Sequence, residues 1–263
     1  MSELLHDAHL HLQDERLGGM APAASGWSVV NATSPDDWGD VLELARAYPS
    51  RVIASLGLHP WWVNQQETDA WHYRLRDLIA SHPHAGIGEI GLDRWICDHD
   101  LPRQEAAFRK QIALAREFNR PMSVHCLKAW GRMLDILRDE TLPACGFLLH
   151  SYGGPKEMVK DFADLGAWFS FSGYYLLERK QDRREVLRSL PPERVLVETD
   201  APDMPLPEDL RKFVLPGNPN ANHPAHIGTI YAAVAEILGV SLRKLSEEID
   251  TNFHRLFGNL VRD

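Results

Sequence analysis

The feature that most limits what this chain can fold into is an alternation along its whole length, in which short apolar, β-branched runs are separated by longer charged segments of helical spacing. Short apolar runs bounded by turn residues read as buried strands, and apolar positions at i, i+3 and i+4 read as one face of a helix. Such runs occur at Leu4–His9, Trp27–Ala32, Val52–Leu58, Ala85–Ile90, Pro121–His125, Gly146–His150, Ala167–Ser172 and Arg194–Glu198. Segments such as Gln104–Asn119 lie between them. Strands alternating with helices pair in parallel, because each crossover returns the chain to the same end of the sheet. Eight strands predict an α/β chain that closes into a (β/α)8 TIM barrel, with residues 1–263 as a single domain. An open doubly wound sheet is the competitor. It would call for a glycine-rich turn after the first strand, where this chain has His9-Leu10-His11.

At 263 residues, 44% hydrophobic and 25% charged, the chain can bury a sizeable core. The start, Met1-Ser2-Glu3-Leu4-Leu5-His6-Asp7, lacks the basic and apolar pattern of a signal peptide, and no stretch approaches the roughly 18 apolar residues of a membrane span. The expectation is a cytoplasmic chain with no membrane partner and no obligate protein partner. Cys97, Cys126 and Cys145 have no C-x-x-C spacing, which predicts neither a disulfide framework nor a thiolate zinc site. A formal charge of −9 argues against coating nucleic acid by bulk electrostatics, while leaving room for a local cationic patch. Ala201 to His223 is rich in proline without helical period. This predicts a long irregular loop over the carboxyl ends of the strands, forming one wall of a site there.

Those carboxyl ends carry the chemistry. Strands end in, or run into, His9 and His11, His59, Glu89, His125, His150 and Asp200, and a barrel brings such ends to one mouth. His9 and His11 are two apart, so both can project to one side of a strand and grip an ion. Alone, the pair is more often just two partly exposed histidines after a first strand. Glu89 lies in the apolar run Gly88-Glu89-Ile90-Gly91-Leu92-Asp93, where a carboxylate needs a partner, either a cation such as Arg94 or a metal that its two oxygens could bridge. His125 and His150 end buried strands and would supply a second ion, while Cys126 should face the other way and pack. Asp200 closes Val195-Leu196-Val197-Glu198-Thr199-Asp200 as a ligand that also orients the attacking water. Imidazole and carboxylate ligands together predict one or two divalent ions, zinc, magnesium or manganese, and hydrolysis with Glu89 and Asp200 as catalytic carboxylates.

The blocks His9-Leu10-His11, Gly88-Glu89-Ile90-Gly91-Leu92-Asp93, Val124-His125, His150-Ser151-Tyr152-Gly153-Gly154 and Glu198-Thr199-Asp200-Ala201-Pro202 resemble the TatD family of metal-dependent deoxyribonucleases. The likeness extends to Gly57-Leu58-His59-Pro60 and Asn252-Phe253-His254-Arg255-Leu256-Phe257, nearly the whole chain. It implies a barrel of the amidohydrolase type, with His9, His11, Glu89 and Asp200 around one ion and Glu89, His125 and His150 around another. It also implies cleavage of DNA phosphodiesters, commonly from the 3′ end, with His59, Lys128 and Asn222 serving the substrate.

Two departures bear on phosphate binding. Leu127 followed by Lys128 stands where the family often has an arginine, and the arginine often found ahead of Asn-x-Pro is absent before Asn222-His223-Pro224. An ammonium does not replace a bidentate guanidinium. Asp203-Met204-Pro205 resembles a less characterised branch of the family. Trp61 and Trp62 either stack a base at the mouth or pack their loop, and Gly153-Gly154-Pro155 either offers amides to a phosphate or makes a tight turn. Two other functions stay open: hydrolysis of a carbonyl ester or amide, such as an aminoacyl-RNA or small metabolite, and a non-catalytic, metal-stabilised nucleic-acid-binding scaffold. With the first histidines nine residues into the chain, the barrel loops are expected to supply substrate recognition without an added N-terminal domain.

Overall fold

Residues 3–262 are described by a computed structural model. Its strands are β1 (Asp7–Leu10), β2 (Ser28–Asn31), β3 (Val52–Leu56), β4 (Gly86–Asp93), β5 (Met122–Leu127), β6 (Phe147–Leu149), β7 (Ala167–Ser172) and β8 (Val195–Glu198). They form one eight-stranded sheet in sequence order, every neighbouring pair parallel. Each candidate run overlaps one of these strands, though β1, β4 and β5 continue past the predicted ends to Leu10, Asp93 and Leu127. Between β8 and β1 the ring is nearly closed by two backbone bonds at the mouth, Asp200 N–H to the His9 carbonyl at 2.9 Å and His11 N–H to the Ala201 carbonyl at 2.8 Å. Strands buried on both faces read as continuous apolar runs rather than as alternations, which is why they stand out in the sequence.

The helices α1 (Trp38–Ala47), α2 (Ala70–Ser81), α3 (Leu101–Phe118), α4 (Trp130–Asp139), α5 (Val159–Asp164) and α6 (Gln181–Ser189) follow β2 to β7 in turn. The ends of α3 show why the predicted helix forms where it does. The Asp100 side chain accepts from the Arg103 N–H, Pro102 lies in the first turn, and Asn119 closes the helix in the left-handed region at φ 47°. The first unit departs from regular alternation, since a 3-10 turn at Glu15–Leu17 takes the place of a helix after β1. Two helices, α7 (Ile227–Leu238) and α8 (Leu242–Phe257), follow β8. Among the described residues no single helix is long and apolar enough to cross a membrane.

Two strands carry an irregularity that matters for the site. Between its pairings at Ile87 and Ile90, β4 spends one residue more than β5 does, and β1 does the same against β2 between Asp7 and Leu10. An extra residue in a strand re-aims the side chains beside it. Here those include Glu89 and His9. Just beyond, Gly91 has φ 140° and would place a Cβ 1.9 Å from the His125 carbonyl oxygen, so β4 can pass β5 only as glycine.

The long loop after β8 is irregular as expected, with a short turn at Glu208–Leu210 and a bridge between Leu215 and Asn218. Leu206 anchors it in the core. Its Asp203 carboxylate accepts two hydrogen bonds from Arg16, each 3.0 Å, tying this loop to the one after β1.

Candidate metal centre

The bulge in β4 aims Glu89 to the barrel axis at the mouth, where its two carboxylate oxygens face different sets of donors. Oε2 lies 3.5 Å from His9 Nε2 and 3.3 Å from His11 Nε2, and these nitrogens lie 3.6 and 3.5 Å from Asp200 Oδ1. Oε1 lies 2.8 Å from His150 Nε2, 3.0 Å from His125 Nδ1 and 3.4 Å from His59 Nε2. His125 Nδ1 and His150 Nε2 are 3.2 Å apart. Four donors held tetrahedrally at about 2.0–2.2 Å from an ion stand about 3.3–3.6 Å from one another. The four imidazole–carboxylate distances among His9, His11, Glu89 and Asp200 have that spacing.

The hydrogen bonds behind the imidazoles set which nitrogen keeps a free lone pair. His11 Nδ1 faces the Asn31 carbonyl at 2.8 Å, an acceptor only, so the ring donates there and Nε2 is the nitrogen it turns to the cluster. His9 Nδ1 is 2.7 Å from Ser123 Oγ, and its buried Nε2 has no hydrogen-bond partner. His125 donates from Nε2 to Asp93 Oδ2 at 3.0 Å, which frees Nδ1. His59 runs the other way. Its Nδ1 accepts from the Trp61 N–H at 3.2 Å, so its Nε2 carries the proton and points it at Glu89.

Charge points to the same conclusion as geometry. Glu89, Asp93, Glu198 and Asp200 are all buried, while among the described residues no lysine or arginine is buried with them. Burial opposes ionisation of Glu89, but the imidazoles around it outweigh that and hold the carboxyl well below the usual range. Asp200 is lowered too, because the His11 hydrogen bond and the charges of His150 and His9 overcome its burial. At His11 and His150 the balance is mirrored, since burial opposes protonation but the carboxylates hold both rings well above the ordinary histidine value. A cluster of acids and imidazoles that draws in positive charge this strongly, with an orphaned buried nitrogen, fits a bound divalent cation. His9, His11 and Glu89 form one group able to hold an ion, and His59, Glu89 and His125 another.

The TatD related DNase family profile matches residues 6–258. The chain belongs to the TatD family of metal-dependent hydrolases. Among its relatives, the 3′-5′ ssDNA/RNA exonuclease TatD of Klebsiella pneumoniae (strain 342) is 35% identical over 211 residues, 78% of this chain and 76% of that protein. The uncharacterized metal-dependent hydrolase YcfH of Escherichia coli K12 is 33% identical over 207 residues, 78% of this chain and 74% of that protein. The crystal structure of the TatD homologue YjjV, also from E. coli K12, superposes with a TM-score of 0.86 at 26% identity, covering 98% of this chain and 99% of that one.

Within this TatD barrel the substrate residues expected from the sequence fare differently. His59 is at the cluster. Lys128 is exposed just past β5, with its ammonium 4.0 Å from the centroid of the Trp95 ring. Asn222 is not brought to the mouth. It is fully buried, its amide N–H groups going to the carbonyls of Thr199 at 2.7 Å and Met204 at 3.3 Å and its oxygen facing His226 Nδ1 at 2.9 Å, so it pins the long loop instead. Gly153 and Gly154 make a tight turn whose carbonyls accept from Arg183 at 2.7 and 2.8 Å. Cys126 is buried as expected, and Arg94 is exposed.

Sequence reasoning passed over Asp93. It is fully buried and accepts from His125, from Trp61 Nε1–H at 2.7 Å and from the Trp95 N–H at 2.6 Å, which hold its carboxyl at about 2 against the opposing effect of burial. The signal was present, since an acid ending a buried apolar run needs partners. Glu198 was passed over as well. It is fully buried, accepts from Ser151 Oγ at 2.5 Å and lies 3.6 Å from His150 Nδ1.

Proposed function

We propose that the chain is a metal-dependent phosphodiesterase that shortens single-stranded DNA, with Glu89 and Asp200 as its catalytic carboxylates. The observation that carries this reading is the placement of Glu89, one oxygen in each of two adjoining donor sets. His9, His11, Glu89 and Asp200 would hold one divalent ion, and Glu89, His125 and His150 a second, from zinc, manganese or magnesium. Bound there, an ion supplies Lewis acidity and neutralises charge on a phosphoryl group. The chain's own side chains do the rest. Asp200, kept ionised by its imidazole neighbours, takes a proton from the attacking water. His59 turns its one N–H to Glu89 and steadies that carboxylate, and Asp93 keeps the His125 ring in its orientation. Lys128 offers a point charge at the rim. The name of the Klebsiella relative supports single-stranded nucleic acid as the substrate class and attack from the 3′ end.

A substrate panel tests the reading: single-stranded DNA, single-stranded RNA, duplex DNA and carboxylic esters, each with magnesium, manganese or zinc. Release of nucleotides from single strands by wild type, lost in Glu89→Ala, supports it. Turnover of carboxylic esters alone would move the chain to ester hydrolysis, and no phosphodiester cleavage with any metal rejects the proposal.

A further inference from the structure

Exposed large apolar side chains are uncommon enough on a folded chain that a cluster of them asks for a partner. Three gather on consecutive loops at the mouth: Trp61 after β3, Trp95 after β4 and Leu127 at the end of β5, which are 48%, 61% and 38% exposed. Both tryptophans are tied to the metal centre through one carboxylate. Trp61 donates its indole N–H to Asp93 Oδ2 at 2.7 Å, Trp95 donates its backbone N–H to Asp93 Oδ1 at 2.6 Å, and Asp93 Oδ2 in turn receives His125. Trp61 also meets the edge of His59, ring centroids 5.0 Å apart. The Lys128 ammonium lies 4.0 Å from the Trp95 ring centroid. The rim beside the centre therefore offers two indole faces and a cation, on a chain whose net charge is −9.

Resting on the phosphodiesterase reading, we propose that Trp61, Trp95 and Lys128 form a subsite for the unpaired bases of a single nucleic-acid strand, next to the bond being cut. Bases stack on the indoles, and the phosphate between them meets Lys128. Stacking of this kind tolerates any base, because every base has a π-face, and it favours single strands, because in a duplex those faces are already stacked. Local positive charge at Lys128 offsets the repulsion that the overall negative charge would impose on a polyanion. Anchoring on Asp93 gives the platform a fixed position relative to His125, so that a stacked nucleotide is registered against the donors rather than loosely held.

The test measures binding with the full chain in chelator, where the strand stays intact, using a fluorescein-labelled single-stranded DNA oligomer and an abasic oligomer of equal phosphate number. Wild type is expected to bind the base-bearing strand about tenfold more tightly than Trp95→Ala does, with Trp95→Phe staying close to wild type. On the abasic oligomer, wild type and Trp95→Ala should bind alike. Lys128→Ala should lower the slope of log K against log salt by about 0.7, the value of one single-strand phosphate contact. Equal affinity of wild type and Trp95→Ala for the base-bearing strand, in an enzyme that cleaves single strands when given metal, overturns the subsite and leaves the phosphodiesterase reading standing. A Trp95→Ala loss that is equal on both oligomers also overturns it. A wild type that neither binds nor cleaves either strand overturns both.

Discussion

Asp93 shows how much a single buried carboxylate decides here. One of its oxygens fixes the protonated nitrogen of His125, and with that the identity of the nitrogen turned to Glu89. Removing such an orienting partner typically costs about 10–100-fold in metal affinity or activity. Asp93→Asn keeps the shape but offers an amide N–H or a weaker acceptor to His125. We expect it to lower the affinity for one of two metal equivalents, as read by calorimetric titration, with little change in the other. A loss of thermal stability with both metal affinities intact would show that Asp93 only packs the strand end. The same logic explains why the supports of His9 and His11 were invisible in the sequence. Ser123 comes from another strand, and the acceptor for His11 is the backbone carbonyl of Asn31, which no residue type announces.

At the scale of elements, the bulge and the glycine of β4 place the Glu89 carboxylate. A Cβ at Gly91 would overlap the His125 carbonyl, and the positive φ adds strain for any other residue. Gly91→Ala is expected to cost about 3 kcal/mol of stability by chemical denaturation, and a variant as stable as wild type would contradict the packing described. The eight strands were legible because continuous burial leaves uninterrupted apolar runs. The true end of β4 was not, since the glycines at its centre read as a terminus, and the extra three residues, Gly91 to Asp93, carry the overlooked acid. The missing helix after β1 was equally hidden, because spacing alone does not separate a short turn from a helix. Asn222 was misplaced for a related reason. A proline-rich loop over the mouth suggests contact with substrate, yet its interior must satisfy its own backbone carbonyls, and Asn222 does that.

The same loop predicts a pH dependence. Burial holds His226 at about 4, below the ordinary histidine value near 6.5. Its Nε2 accepts from the Phe213 N–H at 3.1 Å, a bond that exists only while the ring is neutral. Above about 6.5 neither folded nor unfolded chain binds this proton, while between about 6.5 and 4 the unfolded chain binds it first. Stability therefore falls as the pH drops through that window. Melting temperatures of wild type and His226→Gln across it should show a shallower decline in the variant, and parallel declines would remove His226 as a contributor.

For the whole molecule, the barrel turns residues scattered from His9 to Asp200 into one cluster at a single mouth. Its closing bonds join β8 to β1 through the backbones of Asp200 and His9 themselves, so the site and the closure of the ring are made by the same residues. That these residues would meet at one mouth was readable in the sequence because each follows a buried run, and strand ends of a barrel share one face. Which of them holds a lone pair and which a proton was not readable, since that depends on partners brought in by the fold. The most direct test of the account is nucleotide release from single-stranded DNA, measured against added equivalents of divalent metal for wild type and Glu89→Gln after chelator treatment. Release that is absent without metal, rises with metal in wild type and stays absent in a folded Glu89→Gln is the predicted result. Release that persists in chelator, or that Glu89→Gln performs as well as wild type, would contradict it.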